Sequence, residues 1–159
     1  MKLILHYIEN FLKGMVILTI GAMLSVVFLQ VITRYIFSYT PSYAEELSRY
    51  LFVWVVFLSL PLVAKTGGHM AIETLTSRIH GMPLKVCRVL ASIFTMVFLG
   101  IMVWYSVLMV KLQHFQTSPA LVVPMSYVYS VIPFGCSIML IYVINDFIKT
   151  IRTAPEDIK

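Results

Sequence analysis

Hydrophobic and polar positions along this chain fall into blocks rather than alternating. Four long apolar runs, approximately 14–33, 47–64, 86–110 and 125–148, are divided by shorter stretches in which Lys, Arg, Asp and Glu gather. The hydrocarbon core of a bilayer, about 30 Å thick, is crossed by about 20 mostly apolar helical residues, so each run predicts one membrane-spanning helix. The second run is the shortest and contains Arg49. Pro41, followed by Ser42 and Glu45 at the S-x-x-E spacing of a capping box, lets that helix begin earlier. Glu45, Glu46 and Arg49 then sit in its first turns, near the interface. Ahead of the first run, Lys2, His6, Glu9 and Lys13 recur at helical spacing opposite Ile4, Ile8, Phe11 and Leu12. That pattern predicts an amphipathic helix over 1–13 lying along the membrane surface. No small-x-small cleavage site follows the first run, so the first span is expected to be retained rather than removed as a signal peptide. The expected architecture is an all-α integral membrane protein, one four-helix domain over 1–159 with a frayed tail over 153–159.

The basic residues orient it. With the N-terminus inside, Lys2, Lys13, Lys65, Arg78, Lys85, Arg88, Lys149, Arg152 and Lys159 are cytoplasmic, against Arg34, Arg49 and Lys111 outside. By the positive-inside rule, nine against three predicts that both termini are cytoplasmic. Tyr35, Tyr39, Tyr43, Trp104, Tyr105, Tyr127 and Tyr129 then form an aromatic belt at the outer interface.

Composition agrees, with 60% hydrophobic and only 12% charged residues, far from soluble-protein usage. The net charge of +5 comes without a basic stripe interleaved with aromatics, so topology explains it better than nucleic acid does. Cys87 and Cys136 lie in apolar helices at different depths and read as small buried hydrophobes rather than a disulfide.

The central layers of the four spans carry no ionisable residue. A charge there costs about 2.5 to 3.5 kcal/mol on the insertion scale and is kept mainly for ion paths and proton relays. Thr19, Ser25, Gln30, Ser59, Ser92, Thr95, Ser106 and Ser137 are the most polar groups available, a poor set for a pump working alone. His6, His69, His80 and His114 all lie outside or at the edges, which disfavours haem held within the bundle. No Cys or His cluster has metal-ligand spacing and no nucleotide-binding glycine motif occurs, so no cofactor, metal or catalytic residue is expected. The turn Lys65-Thr66-Gly67-Gly68-His69 follows a helix instead of opening one, and reads as a helix stop rather than a phosphate loop. Gly21 and Ser25 form a small-xxx-small pair with Gly14 on the same face, so the first helix can approach a neighbour closely; packing within the bundle is the expectation. Pro61 and Pro133 predict ordinary interruptions of their helices.

The stretch from Arg34 to Glu73 is more specific. Arg34-Tyr35 is followed by Pro41-Ser42-Tyr43-Ala44-Glu45-Glu46-Leu47-Ser48-Arg49-Tyr50, then Trp54, then Ala64-Lys65-Thr66-Gly67-Gly68-His69. This string resembles the small, DctQ-like membrane subunit of tripartite ATP-independent periplasmic (TRAP) transporters, with its R-Y turn, E-E-L-x-R-Y helix start, Trp two turns on and A-x-x-x-G-x-H exit. Ser118-Pro119-Ala120, Pro124-Met125, Tyr129, Pro133 and Gly135 resemble the family's S-P-A-L-G-I-P entry and Y-x-x-x-I-P-x-G helix. The likeness covers nearly the whole chain. Two departures stand out: Tyr43 where the family often has Trp, and Val122 where it often has Gly.

The resemblance implies a division of labour in a bacterial inner membrane. A large permease subunit would carry the substrate and sodium sites, and a periplasmic substrate-binding protein would deliver an organic acid of the C4-dicarboxylate or sialic acid class. This chain would serve as scaffold in that sodium-coupled symport. The alternative is a self-sufficient dimeric four-helix exporter, which needs a carboxylate in mid-span where Thr19, Gly21 and Ser25 stand; a membrane anchor for a redox enzyme is a second. The cluster of Arg34, Glu45, Glu46, Arg49, Tyr50 and Trp54 is the candidate structural or partner-binding site. Glu46, Tyr50, Trp54 and Phe57 share one helix face, and an Arg34–Glu46 bridge joining the first two helices is expected there.

Overall fold

In the computed structural model, residues 2–39, 41–67 and 82–152 are described, with side chains over 7–39, 41–65, 82–83 and 85–151. Gly68, His69, Arg78, His80 and the tail over 153–159 lie outside the described residues. The chain runs through α1 (Lys2–Phe37), α2 (Ser42–Gly67), α3 (Met82–Leu112), a 3-10 turn (Gln113–Phe115), α4 (Met125–Tyr129) and α5 (Val131–Arg152). Among the described residues, four stretches are long and apolar enough to cross a membrane: Tyr7–Phe37, Ser42–Lys65, Lys85–Phe115 and Met125–Ile151.

Helix α1 is continuous. The segment 1–13, expected to lie apart along the surface, runs from Lys2 into the span without a break. Helix α1 ends where Ser38 takes a left-handed φ of 50°, the conformation of a C-terminal helix stop, and the Tyr39 amide wraps back to donate to the Thr33 carbonyl at 3.4 Å. Helix α2 begins at Ser42 as expected, but not through a capping box. Its opening amides at Ala44 and Glu45 donate to the Pro41 carbonyl, while the Glu45 side chain pairs with Arg49.

The two prolines act differently. Pro61 lies inside α2, which stays helical to Gly67. Pro133 has no amide to offer the Tyr129 carbonyl four residues earlier, and the helical hydrogen bonding is interrupted there: α4 closes at Tyr129 and α5 opens at Val131, with Ser130 between them still at helical angles. Pro133 thus sits in a first turn, where its missing donor costs least.

The spans pack as a row. Helix α1 lies against α2, α2 against α5, and α5 against α3, leaving α1 and α3 at the flanks. Leu12, Leu58 and Val131 form the core, with Trp54, Phe57 and Ile138 among the half-buried side chains packed on it. Elsewhere the surface is apolar, including Ile17, Phe28, Phe94, Phe98 and Trp104. Large side chains exposed along whole spans are stable in lipid, which is as apolar as they are.

At Gly135 the backbones of α2 and α5 approach closely. A Cβ added at Gly135 would stand 2.9 Å from the Phe57 carbonyl carbon and nearer still to its oxygen. That carbonyl lies four residues before Pro61 and so lacks its usual helical donor. By contrast, nothing lies within 4 Å of a Cβ added at Gly14 or Gly21, and Ser25 is exposed, its hydroxyl donating to the Gly21 carbonyl at 2.9 Å. The expectation that Gly14, Gly21 and Ser25 pack within the bundle is therefore corrected. Of Gly14, Gly21, Gly100 and Gly135, it is Gly135 that a neighbouring backbone meets.

Candidate functional site

The first turns of α2 carry the predicted cluster, and the structure divides it. Glu45 and Arg49 form an i,i+4 ion pair whose side chains are 56% and 73% exposed, worth about 0 to 1 kcal/mol at most. Glu46, one residue on, turns toward the loop between α3 and α4. One carboxylate oxygen accepts the backbone amides of Ala120 at 2.8 Å and Leu121 at 3.1 Å. The other accepts the Tyr50 hydroxyl, and the Tyr50 oxygen also lies 3.4 Å from the Met125 sulfur. The acidic and aromatic stripe therefore faces the chain's own loop and α4.

The loop is shaped for this. Ser118, only 2% exposed, donates its amide to the Val123 carbonyl at 2.9 Å and accepts the Val122 amide at 3.1 Å. Its hydroxyl oxygen accepts the Leu121 amide at 3.2 Å. The Met125 amide bonds to the Gln116 carbonyl at 2.8 Å. The tight reversal leaves Val122 at a φ of 56°, a left-handed conformation that a β-branched side chain resists. The residue type noted as unusual at this position is thus the one under strain.

Arg34 is exposed at the end of α1, and among the described residues it makes no ion pair. The expected Arg34–Glu46 bridge is not formed, because the amides of Ala120 and Leu121 together with Tyr50 occupy the carboxylate. What joins α1 to α2 at this end is neutral: the Gln30 side-chain amide donates to the Ala44 carbonyl at 2.6 Å. Trp54, half-buried, forms with Leu47, Tyr50, Leu51 and Leu121 the wall of an apolar groove of about 310 Å³.

A second polar fastening lies at the opposite end of the same helices. Glu9, 6% exposed, pairs with Lys13 at 2.8 Å and with Lys65 of α2. Sequence reasoning placed Glu9 on the polar side of a surface helix and missed its partner. The available signal was that antiparallel neighbours bring an acid near the start of one helix beside a base near the end of the next.

Among the described residues no group of His, Cys, Asp and Glu could hold a metal. Both cysteines are free thiols. His114 is exposed and stacked on Phe115. The arrangement fixes helices and a loop in place.

A row of four apolar spans, with the Glu9–Lys65 and Glu46–loop contacts among its described polar ties, is the architecture of a multi-pass inner-membrane protein. Residues 23–153 match the family described as tripartite ATP-independent periplasmic transporters, DctQ component, and the chain belongs to that family. It is 23% identical over 151 residues to the isethionate TRAP transporter permease protein DctMQ of Oleidesulfovibrio alaskensis, a match covering 90% of this chain and 24% of the relative. A Haemophilus influenzae protein bearing the name of a TRAP transporter small permease protein is 25% identical over 126 residues, covering 79% of this chain and 76% of the relative. Another from the same organism is 34% identical over 79 residues, covering 50% and 49%. The chain thus spans about a quarter of the first of these relatives and half to three quarters of the others.

Proposed function

We propose that this chain is the fixed membrane scaffold of a sodium-coupled symporter that takes up an organic acid delivered by a periplasmic binding protein. The observation that carries this reading is where the polar groups lie. Glu9 with Lys65, and Glu46 with the Ser118–Leu121 loop, are committed to fastening helices near their ends. Several hydroxyls in the spans bond to their own helices, as Thr19 to the Met15 carbonyl at 2.7 Å and Thr95 to the Ala91 carbonyl at 2.8 Å, while the buried Ser92 hydroxyl finds no partner among the described residues. An anionic cargo needs cations, free helix N-termini or unwound backbone near mid-membrane, and sodium needs converging oxygens there. Those duties fall to the large permease component, with the substrate and sodium sites in that subunit.

The name of the relative that carries both components, DctMQ, is consistent with a small part working only beside a large one. The cargo class is a small organic acid, of the C4-dicarboxylate or sialic acid kind, selected by the other components. Both termini lie in the cytoplasm, as the distribution of Lys and Arg favours. The experiment is co-expression of this chain with its large permease, one of them affinity-tagged. Copurification in mild detergent, and loss of cellular uptake when this chain alone is deleted, are expected. Unimpaired uptake without it would refute the scaffold role.

A further inference from the structure

On α3, Gly100, Val103, Trp104, Val107, Leu108 and Lys111 line a groove of about 350 Å³. These positions follow one another by three or four residues and so share one helix face. The groove owes its deep end to Gly100, since nothing lies within 4 Å of a Cβ built there. Trp104 stands exposed as its wall. Lys111, one residue before the end of α3, closes the other end, and among the described residues it makes no ion pair.

Two features choose the occupant. Eleven residues separate Gly100 from Lys111, about 16 Å along the helix, which matches half of the roughly 30 Å hydrocarbon core. The groove therefore runs from near the bilayer centre to one interface, the reach of a single lipid chain. Its interfacial end presents a cation with no acid within the ten preceding residues, so charge complementarity favours an anionic group. A second helix, about 10 Å wide, would meet Trp104 projecting from the middle of the face, where close helix packing wants small residues.

We infer that this face is a seat for an anionic glycerophospholipid. One acyl chain lies along the Gly100–Trp104–Leu108 trough and the headgroup phosphate accepts from the Lys111 ammonium. The inference depends only on α3 crossing the bilayer, not on the scaffold role.

The test is native mass spectrometry of the whole chain, delipidated and then titrated with phosphatidylglycerol or phosphatidylethanolamine of the same acyl composition. Wild-type protein should retain phosphatidylglycerol preferentially. Lys111→Ala should cut that preference about fivefold, the equivalent of about 1 kcal/mol for one cation at a membrane surface. Gly100→Leu should abolish retention of both lipids while leaving thermal unfolding unchanged, since the new side chain enters open space. Equal retention of the two lipids by wild type, or full retention by Gly100→Leu, would overturn the assignment. So would a Gly100→Leu variant that keeps its lipid but no longer copurifies with the large permease, because the face would then be a protein seat.

Discussion

Gly135→Ala is the substitution whose consequence follows most directly from the structure. The added methyl would stand 2.9 Å from the Phe57 carbonyl carbon, 3.3 Å from the Phe57 Cβ and closer still to the Phe57 carbonyl oxygen. Both sides of this contact are backbone, so no side chain can rotate away and α2 and α5 must separate. Overpacking of this kind costs about 1 to 3 kcal/mol, occasionally more. Against this, alanine gains about 1 kcal/mol over glycine in helix propensity. With a backbone clash at the upper end of the range, the balance is a loss of about 2 kcal/mol or more. For a chain of this size that is about 4 to 8 °C in unfolding temperature. The assay is thermal unfolding of purified protein in one detergent, with Gly14→Ala and Gly21→Ala as matched controls. Nothing lies within 4 Å of either control methyl, so both should be neutral or stabilising by up to about 1 kcal/mol. A Gly135→Ala variant as stable as wild type, or Gly14→Ala and Gly21→Ala variants as damaged as Gly135→Ala, would refute the close approach of α2 and α5.

Val122→Gly should raise the unfolding temperature, because it removes a β-branched residue from a left-handed conformation that costs about 1 to 2 kcal/mol; a fall would show that the loop does not hold that geometry. Glu46→Ala should destabilise the protein and reduce the yield of its complex clearly more than Glu45→Ala. It strips the acceptor from the Ala120 amide, at about 1 to 3 kcal/mol, and leaves the Leu121 amide to the Ser118 hydroxyl alone, whereas the Glu45 pair is exposed. Equal and negligible effects of the two changes would remove the loop fastening. Reporters fused after Lys159 and within 69–85 should give cytoplasmic signals and one near Ser118 a periplasmic signal; a periplasmic signal from the C-terminal fusion would reverse the proposed orientation.

The spans were legible because lipid imposes length and apolarity on each one separately, so local composition suffices to find them. Their ends were read short. Apolar runs mark the hydrocarbon, whereas helices continue until something stops them, as Ser38 and the Tyr39–Thr33 bond do for α1. The candidate cluster was found as a set of residues but joined wrongly. Shared depth points Glu46 to Arg34, while its partners are amides 74 and 75 residues away. The Ser118-Pro119-Ala120 segment had been picked out, yet backbone donors in a loop carry no side-chain signature. The glycines show the same limit. A small-residue pattern such as Gly14, Gly21 and Ser25 says that an approach is allowed, not that a neighbour is present. At Gly135 the neighbour depends on Pro61 freeing a carbonyl on a different helix. The opposed charges of Glu9 and Lys65 were likewise visible singly, but their pairing required α1 and α2 to be adjacent and in register.

The central claim is that this chain holds a transporter together without moving cargo itself, and reconstitution tests it most directly. Proteoliposomes containing this chain alone, with an inward sodium gradient, binding protein and labelled C4-dicarboxylate or sialic acid, should show no uptake above empty vesicles. Adding the large permease in the same vesicles should establish sodium-dependent accumulation of the cognate acid. Sodium-driven uptake by this chain alone would contradict the account, as would equal uptake by the large permease without it.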